Sequence, residues 1–388
     1  MEENRETIKG IRETMGDEIP GAMDSDHKTT GNGDSDMKIY ELPADGDGAE
    51  KDKDMYKKKQ RKGHPVRKGL IILLLVILLL LGTTIGIVLH TLNKMNRVVP
   101  GDTTPISRED EFFDPDTQDP DTMNPDEISA EGIKIVSSPY VKNILLIGQD
   151  RRPGEGRARS DSMIIVSLNT KTGVISLVSL MRDMYVPIPD YSANRINAAY
   201  AFGGMELLDE VIKQDFGLVI DGNIEVDFER FVQVMDLIAP LEIDLKSYEA
   251  EHMGLPEGVN ALNAKQLLTY ARIRSVGNSD YERTDRQRRV VGVAINKLKG
   301  ESLSTIYTLV NQAMPSLSTD MSNTQILELA TAMLSKKPVI GGNYRLPFGN
   351  TYSNEIIRGM MVLVPDLKAN SEKIQKYLYG DLMKESKK

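Results

Sequence analysis

Short apolar runs alternate along this chain with longer segments in which apolar residues recur every three or four positions. Continuous runs rich in β-branched residues are typical of strands that are buried on both faces. Asn169 to Gly173 lies between two such runs and favours a hairpin, because glycine suits the end of a tight turn. Strands are therefore predicted at 142–148, 162–168, 174–180, 224–226, 241–245 and 360–364.

Capping residues support several of the predicted helices. Asp227 is a favourable N-cap, Asn263 and Gln266 form a capping-box pattern, Gly217 suits a helix end, and Asn370 is the predicted cap of the last helix. Because helices and strands interleave, the expected fold class is α/β, a three-layer α/β/α sandwich with a mixed central sheet. Helices are predicted at 205–216, 228–238, 264–273, 285–299, 304–314, 324–334 and 371–379.

One segment near the N-terminus predicts a membrane anchor. Residues 69–89 are uncharged and almost wholly apolar, a length that matches the bilayer core. Nine Lys/Arg precede it in 51–68, so the N-terminus is expected in the cytoplasm, with basic residues against lipid headgroups. A cleaved signal peptide fits poorly, because the run is long and starts late. The expected organisation is a disordered cytoplasmic tail over 1–68, a single transmembrane helix over 69–90, an acidic extracellular linker over 91–138 and an extracellular domain over 139–388.

Composition narrows the chemistry. The formal net charge of -9 makes bulk affinity for nucleic acid unfavourable, and no cysteine is present for disulfides, thiolate metal sites or nucleophiles. Thirteen of the 21 arginines fall between residues 141 and 300, where only seven of the 27 lysines lie. Arginine grips phosphate with a planar fork, so this bias indicates a specific anion site rather than a generally basic surface.

Two acids mark the edge of the predicted sheet. Asp150 follows the first buried strand and Asp161 precedes the second, with a glycine-rich loop between them. Ligands bind at strand ends in layered α/β folds, and the loop can bring both carboxylates to one cation. Two carboxylates, substrate phosphates and water are a usual Mg²⁺ environment. The alternative is that both residues are ordinary turn or cap residues.

Arginines accumulate at two other places. Arg182 and Asp183 directly follow the third strand, where the hairpin would return them to the edge that carries Asp161, although a local ion pair is an alternative. Further along, the chain has six arginines within 18 residues, where a solvated basic helix is the alternative: Arg272, Arg274, Arg283, Arg286, Arg288 and Arg289.

Together these segments resemble the LytR-CpsA-Psr family of cell-wall ligases. The resemblance covers roughly 141–299 and includes a cytoplasmic tail, one span and an external catalytic domain. Glu282 stands where the family usually has a small residue, and Met181 stands where many members have proline. The matching motifs are Gly148-x-Asp150-x-Arg152, Arg159-Ser160-Asp161-x-Met163, Arg182-Asp183-x-Tyr185-Val186, Arg195-Ile196-Asn197-Ala198-Ala199-Tyr200-Ala201-Phe202-Gly203-Gly204, Tyr270-x-Arg272-x-Arg274 and Asp280-Tyr281-x-Arg283-x-x-Arg286-Gln287.

The resemblance implies a phosphotransferase that moves an anionic glycopolymer, such as teichoic acid or capsule, from a polyprenyl-pyrophosphate carrier to a hydroxyl of peptidoglycan. It implies that Asp150 and Asp161 hold Mg²⁺. On chemical grounds Asp183 or a metal-binding carboxylate could take the proton of the acceptor, and the sequence does not choose between them. The residues that it implies for phosphate contact are Arg159, Arg182, Arg272, Arg274, Arg283 and Gln287, with Arg152 and Arg286 as further candidates.

Two other functions remain open from the sequence. The same site would support a polyprenyl-pyrophosphate phosphatase with water as acceptor, or the external domain could serve a membrane-tethered regulator of the cell envelope. The tail shows no helix-turn-helix pattern, which argues against DNA binding. Residues with helical spacing that could line a lipid channel, or simply form core, are Met205, Leu207, Leu208, Val211, Phe228, Phe231, Val232, Met235 and Ile238.

Overall fold

The computed structural model describes residues 79, 82–83, 86–87, 89–98, 121–124, 127–149, 157 and 159–385. The predicted tail and most of the predicted membrane span lie outside these residues. Within the described part of the chain, no helix combines the length and the apolar character that crossing a bilayer requires.

A seven-stranded mixed sheet forms the centre of the domain. Its strand order is β1-β10-β7-β2-β3-β4-β11, in which β2, β3 and β4 are antiparallel neighbours while β7 and β11 run parallel to β2 and β4. The strands of this sheet are β1 Asn96–Arg97, β2 Val141–Gln149, β3 Ser160–Asn169, β4 Val174–Leu180, β7 Gly222–Asp227, β10 Ser318–Thr319 and β11 Val339–Leu346.

Three two-stranded sheets surround it. They pair β5 Tyr185–Val186 with β6 Asn194–Arg195, β8 Leu241–Leu245 with β9 Gly258–Leu262, and β12 Tyr352–Ile357 with β13 Met360–Pro365. The helices are α1 Ile196–Phe216, α2 Phe228–Asp236, α3 Ser247–Met253, α4 Ala264–Arg272, α5 Ser279–Lys299, α6 Leu303–Ala313, α7 Asn323–Lys336 and α8 Leu367–Glu385.

Helices cover both faces of the central sheet. Alternate side chains of β2 and β3, such as Leu145 and Ile165, pack under α1 and α8 in the largest hydrophobic core. On the opposite face Leu168 and Leu177 pack under α5 and α7. Each fully buried side chain of this kind stabilises the fold by about 1.5–3 kcal/mol. The predicted α/β class with a mixed central sheet is therefore confirmed.

Three helices begin at least four residues earlier than their sequence pattern indicates, among them α5, which starts at Ser279 rather than at residue 285. α1 starts at Ile196 rather than at residue 205, and it accommodates Gly204 at a positive φ of 67° as a kink. The pair Gly203-Gly204 interrupts the helical sequence pattern, so the first half of this helix was not predicted. α8 starts at Leu367, so Asn370 lies inside the helix and is buried, where its Oδ1 accepts a hydrogen bond from the backbone N–H of Phe348 at 2.8 Å. The prediction that Asn370 caps this helix was wrong.

Parts of the predicted extracellular linker, residues 91–138, pack against the folded domain. β1 pairs in parallel with β10, and Leu92 and Met95 pack against Met314. Asn93 accepts a hydrogen bond from Asn323 at 2.9 Å. Further on, the N–H of Val136 donates to the carbonyl of Gly217 at 2.9 Å. The region after residue 300, which no sequence motif explained, therefore holds the chain that directly follows the predicted span.

Candidate functional site

Three segments that are distant in sequence meet at one edge of the central sheet. Asp161 lies at the start of β3, and Arg182 and Asp183 directly follow β4. Because β3 and β4 are antiparallel, the start of one lies beside the end of the other. The first turn of α5 adds Asp280 and Arg283. The hairpin predicted from the sequence therefore brings Arg182 to Asp161, as expected.

Arg182 is the centre of this site. Its Nη1 donates to Asp161 Oδ1 at 2.7 Å, its Nε lies 3.5 Å from Asp183 Oδ2, and its Nη2 lies 3.6 Å from Asp280 Oδ2. Arg274 lies 3.8 Å from Asp161 and 3.6 Å from Asp280. One guanidinium group is thus shared among three carboxylates from separate segments.

Three further arginines complete the group. Arg283 Nη1 lies 3.1 Å from Asp280 Oδ1, and Arg195 Nε lies 3.6 Å from Asp183 Oδ1. Arg159 lies close enough to Arg195, Arg182 and Asp183 for their charges to change its pKa. We call the whole set the arginine cluster: Arg159, Arg182, Arg195, Arg274 and Arg283 with Asp161, Asp183 and Asp280.

The cluster has more positive charge than its own acids neutralise. Among the described residues it contains five guanidinium groups and three carboxylates, and five minus three leaves two positive charges. Within that same described set, Nε atoms that are buried and have no hydrogen-bond partner belong to Arg182, Arg195 and Arg283. Buried donors without partners are costly, so this arrangement fits a bound anion that would satisfy them.

The pKa values reflect this crowding. Burial, with the charges of Arg182 and Arg274, lowers the pKa of Arg283 to about 10, although Asp280 raises it. Burial also lowers the pKa of Arg159, helped by the charges of Arg195 and Arg182. For Arg182, burial is opposed by Asp183 and Asp161, and the net effect raises its pKa. Arg182 therefore stays protonated at neutral pH.

An apolar cavity of about 220 Å³ adjoins the cluster on the face of the sheet that carries α2, α4 and α5. Strand residues such as Leu146 and Ile164 form its floor, and Phe228, Phe231 and Met235 of α2 form part of its wall. No residue of α2 is fully buried: Phe231 and Met235 border this cavity and also pack against the core formed with α4 and α5.

The polar end of the cavity is lined by residues that lie close to cluster residues in the chain. Arg272 and Gln287 both line it, and Ser162, the neighbour of Asp161, donates to Gln287 Oε1 at 3.1 Å. The Arg272 guanidinium lies 4.1 Å from the centre of the Phe228 ring. Arg272 and Gln287 therefore stand between the apolar space and the charged site. Of the other channel candidates, Met205, Leu207, Leu208 and Val211 lie in or against the main core on the opposite face of the sheet.

Arg286 lies outside the arginine cluster. Its side chain is 1% exposed, its Nε donates to Glu249 Oε1 at 2.8 Å, and its Nη2 donates to Glu282 Oε2 at 2.8 Å. The carbonyl of Ile273 accepts from its Nη1 at 3.0 Å. A guanidinium with this environment has no surface left for a phosphate, so Arg286 is assigned to the packing of α3, α4 and α5. Glu282, the departure from the family pattern, is one of its partners.

Sequence reasoning left two cluster residues without a role. Arg195 and Asp280 both occur in the quoted motifs but were not among the site candidates. Arg195 also donates through Nη2 to the carbonyl of Met361 at 3.0 Å, which joins the cluster to β13. Their positions in the motifs were the available signal. Asp150 and Arg152, both predicted at the site, lie outside the described residues.

The described residues contain no group of three or more acidic or histidine side chains that would hold a metal by themselves. Asp161, one of the two predicted Mg²⁺ ligands, lies within the cluster, and its Oδ1 accepts from Arg182. Its second oxygen accepts no hydrogen bond from the described part of the chain. The position of Asp161 thus fits the donor chemistry that Mg²⁺ requires.

Comparison with other proteins relates the chain to cell-envelope proteins. The profile described as the LytR_cpsA_psr family matches residues 117–376. The chain is 31% identical over 247 residues to the polyisoprenyl-teichoic acid–peptidoglycan teichoic acid transferase TagU of Oceanobacillus iheyensis. The aligned region covers 62% of this chain and 71% of TagU.

A second relative is the regulatory protein MsrR of Staphylococcus aureus, 35% identical over 153 residues, or 38% of this chain and 46% of MsrR. The chain thus spans about half the length of that relative. Among solved structures, TagT bound to LI-WTA has a TM-score of 0.51 at 20% identity, covering 72% of this chain and 99% of TagT. This likeness is one of fold.

Proposed function

The chain belongs to the LytR_cpsA_psr family, and from this premise we propose that it transfers an anionic glycopolymer from a polyprenyl-pyrophosphate carrier to a hydroxyl of peptidoglycan. The observation that carries the proposal is the arginine cluster, which among the described residues has two excess positive charges and buried N–H groups without a hydrogen-bond partner, beside an apolar cavity. A pyrophosphate with substituents at both ends carries two negative charges. The name of TagU supports teichoic acid as the class of polymer.

The donor lies across the two parts of the site. Its pyrophosphate is held by the arginine cluster, and the part of the lipid next to the phosphate enters the cavity between Phe228, Phe231 and the sheet. Arg272 and Gln287 meet the donor at the junction. Transfer of this kind needs charge neutralisation and alignment more than covalent catalysis, and fixed guanidinium groups supply both.

The reaction exchanges one phosphorus–oxygen bond for another. The acceptor hydroxyl oxygen attacks the phosphorus nearer the glycopolymer, and a new P–O bond forms. The bond from that phosphorus to the bridging oxygen breaks, and polyprenyl phosphate leaves with its electron pair. The hydroxyl proton passes to a carboxylate of the cluster, Asp183 or Asp161. No histidine base is required.

Mg²⁺ is part of the proposal. Asp161 and Asp150 would hold it, since a Mg²⁺ ion is usually bound by one or two carboxylates with substrate phosphates. When bound, the ion would shield the pyrophosphate and stabilise the departing lipid phosphate.

The test uses the purified full-length chain, a lipid-linked teichoic acid donor and isolated peptidoglycan, with and without Mg²⁺. We expect polymer on the peptidoglycan, release of polyprenyl phosphate in equal amount, and loss of both in the presence of a chelator. Lipid phosphate released equally fast without peptidoglycan would show a phosphatase instead. Donor left unchanged under every condition would refute both enzymatic functions and favour a regulator.

A further inference from the structure

A second cavity, of about 410 Å³, lies beside the arginine cluster, between the start of α5 and the β12–β13 hairpin. Asp183 and Asp280 belong both to the cluster and to the wall of this cavity. The N–H of Leu363 in β13 donates to the carbonyl of Asp183 at 2.9 Å, which fixes the hairpin to the end of the sheet. The cavity therefore opens directly onto the centre of the proposed reaction.

The wall of this cavity combines an apolar base with a polar rim. Met181, Ile356, Val362 and Leu363 contribute apolar surface. Hydrogen-bonding groups are contributed by Asn278, Asn354 and Glu355, together with Asp183 and Asp280. A few polar groups on an apolar surface are typical of a small-molecule site, and the pattern suits a sugar, which has an apolar ring face and a hydroxyl-bearing edge.

Charge decides which substrate can enter. None of the described residues that line the cavity is a lysine or arginine, whereas three are carboxylates: Asp183, Asp280 and Glu355. The cluster neutralises the first two. Glu355 accepts a hydrogen bond from Thr122 Oγ1 at 2.6 Å, and this bond with that from Ser353 lowers its pKa, so it stays anionic. The described lining therefore offers an anionic glycopolymer no cationic partner, whereas a neutral carbohydrate needs none.

We propose that this cavity, which we call the acceptor groove, binds the neutral carbohydrate backbone of the acceptor and presents its hydroxyl to Asp183. This inference rests on the proposed function. The ion pairs of Asp183 with Arg182 and Arg195 are 3.5 and 3.6 Å long, beyond the usual hydrogen-bond distance. Its oxygens can therefore accept a hydrogen bond from the attacking hydroxyl, and the proton passes to Asp183 as the new P–O bond forms.

Binding without donor tests the acceptor groove separately from catalysis. The probe is soluble glycan strands of peptidoglycan from which the peptides have been removed, added to the full-length chain in detergent. We expect saturable binding by the wild type and about tenfold weaker binding when Asn278→Ala and Asn354→Ala are combined, because two hydrogen bonds are lost. Both side chains are exposed, so the fold is not at risk.

Glu355→Gln should leave binding of the neutral glycan unchanged, because it removes a charge and keeps a hydrogen-bonding side chain. Glu372→Gln on the exposed side of α8 is its matched control, since both remove one surface carboxylate. In the transfer assay, the asparagine double variant should raise the KM for the glycan about tenfold, with the KM for the donor unchanged. A raised donor KM with unchanged glycan binding would assign the cavity to the polymer and overturn the inference, as would a wild type that binds no glycan. Glycan binding without any transfer would refute the proposed function and leave the acceptor groove standing.

Discussion

Arg283 and Arg286 lie on the same helix, three residues apart, yet their guanidinium groups belong to two different regions. Arg286 is held by Glu249 and Glu282 at 2.8 Å each, with every nitrogen hydrogen-bonded. Arg283 faces Asp280 at 3.1 Å and keeps a buried Nε without a partner among the described residues. One arginine completes the fold, and the other is part of an incomplete charge arrangement.

The difference shows how arginine serves either stability or ligand binding. A buried guanidinium whose charge and donors are all matched within the protein cannot exchange partners without exposing a buried carboxylate. In the arginine cluster, most ion pairs are 3.5 Å or longer, so the same carboxylates can release their arginines to a substrate. The number of arginines alone does not define the site. The arginines of the site are distinguished by guanidinium groups that are incompletely paired among the described residues.

The strongest test of this comparison is Arg286→Ala. Removing one partner of a buried ion pair leaves Glu249, itself 1% exposed, without its main counter-ion, which costs about 3–5 kcal/mol of stability. We expect a large fall in the midpoint of urea unfolding, measured by circular dichroism. Combining Arg286→Met with Glu249→Leu should recover much of the loss. Full stability of Arg286→Ala with loss of donor binding would place Arg286 in the site after all.

The matching test in the open region is Arg182→Ala. Losing the central donor of the cluster should lower kcat for transfer by about 10²–10³-fold, as for other charge-stabilising groups at reacting centres. Arg182→Lys should recover only part, because an ammonium cannot replace the planar fork. Unfolding midpoints should barely change for either variant. A stability loss as large as that of Arg286→Ala would show that the two regions do not differ.

A smaller effect separates the apolar cavity from the cluster. Phe231→Ala removes part of the cavity wall, and burial of a phenylalanine-sized apolar surface is worth about 1.5–3 kcal/mol. The KM for a polyprenyl donor should rise, while that for a pyrophosphate donor with a methyl group in place of the lipid should not. Val232→Ala on the same helix is the control, since Val232 does not line the cavity. Equal effects on both donors would contradict a lipid role for this space.

The smallest expected effect is a pH dependence of donor affinity, which tests whether Arg283 contacts the donor. Its pKa of about 10 means that the free protein loses this positive charge as the pH rises through that value. Donor affinity, measured by fluorescence with labelled lipid, should be constant below that pH and fall about fourfold half a unit above it. Arg283→Gln should bind more weakly at neutral pH and lack this step. An identical step in the variant would assign the titration to another group.

Much of the fold and part of the site were predictable from local patterns. Apolar runs predicted β2, β3 and β4, and the Asn263–Gln266 capping box and Asp227 N-cap occur as expected. The ordered motifs predicted the family, which the matching profile confirms. The hairpin alone indicated that Arg182 would meet Asp161, because antiparallel pairing brings these strand ends together.

Other features depended on long-range contacts that no local pattern encodes. β1 pairs with a strand more than 200 residues later, and the β12–β13 hairpin meets Asp183 from the far end of the chain. The sequence made both Arg283 and Arg286 candidates for phosphate contact, with Arg286 ranked second, since both are arginines of one motif. The types and the spacing of residues determine the local conformation of the chain. They also determine which charged groups are available. Whether a charge is matched depends on what packs against it, and only the tertiary structure brought Glu249 to Arg286 and left Arg283 incompletely paired.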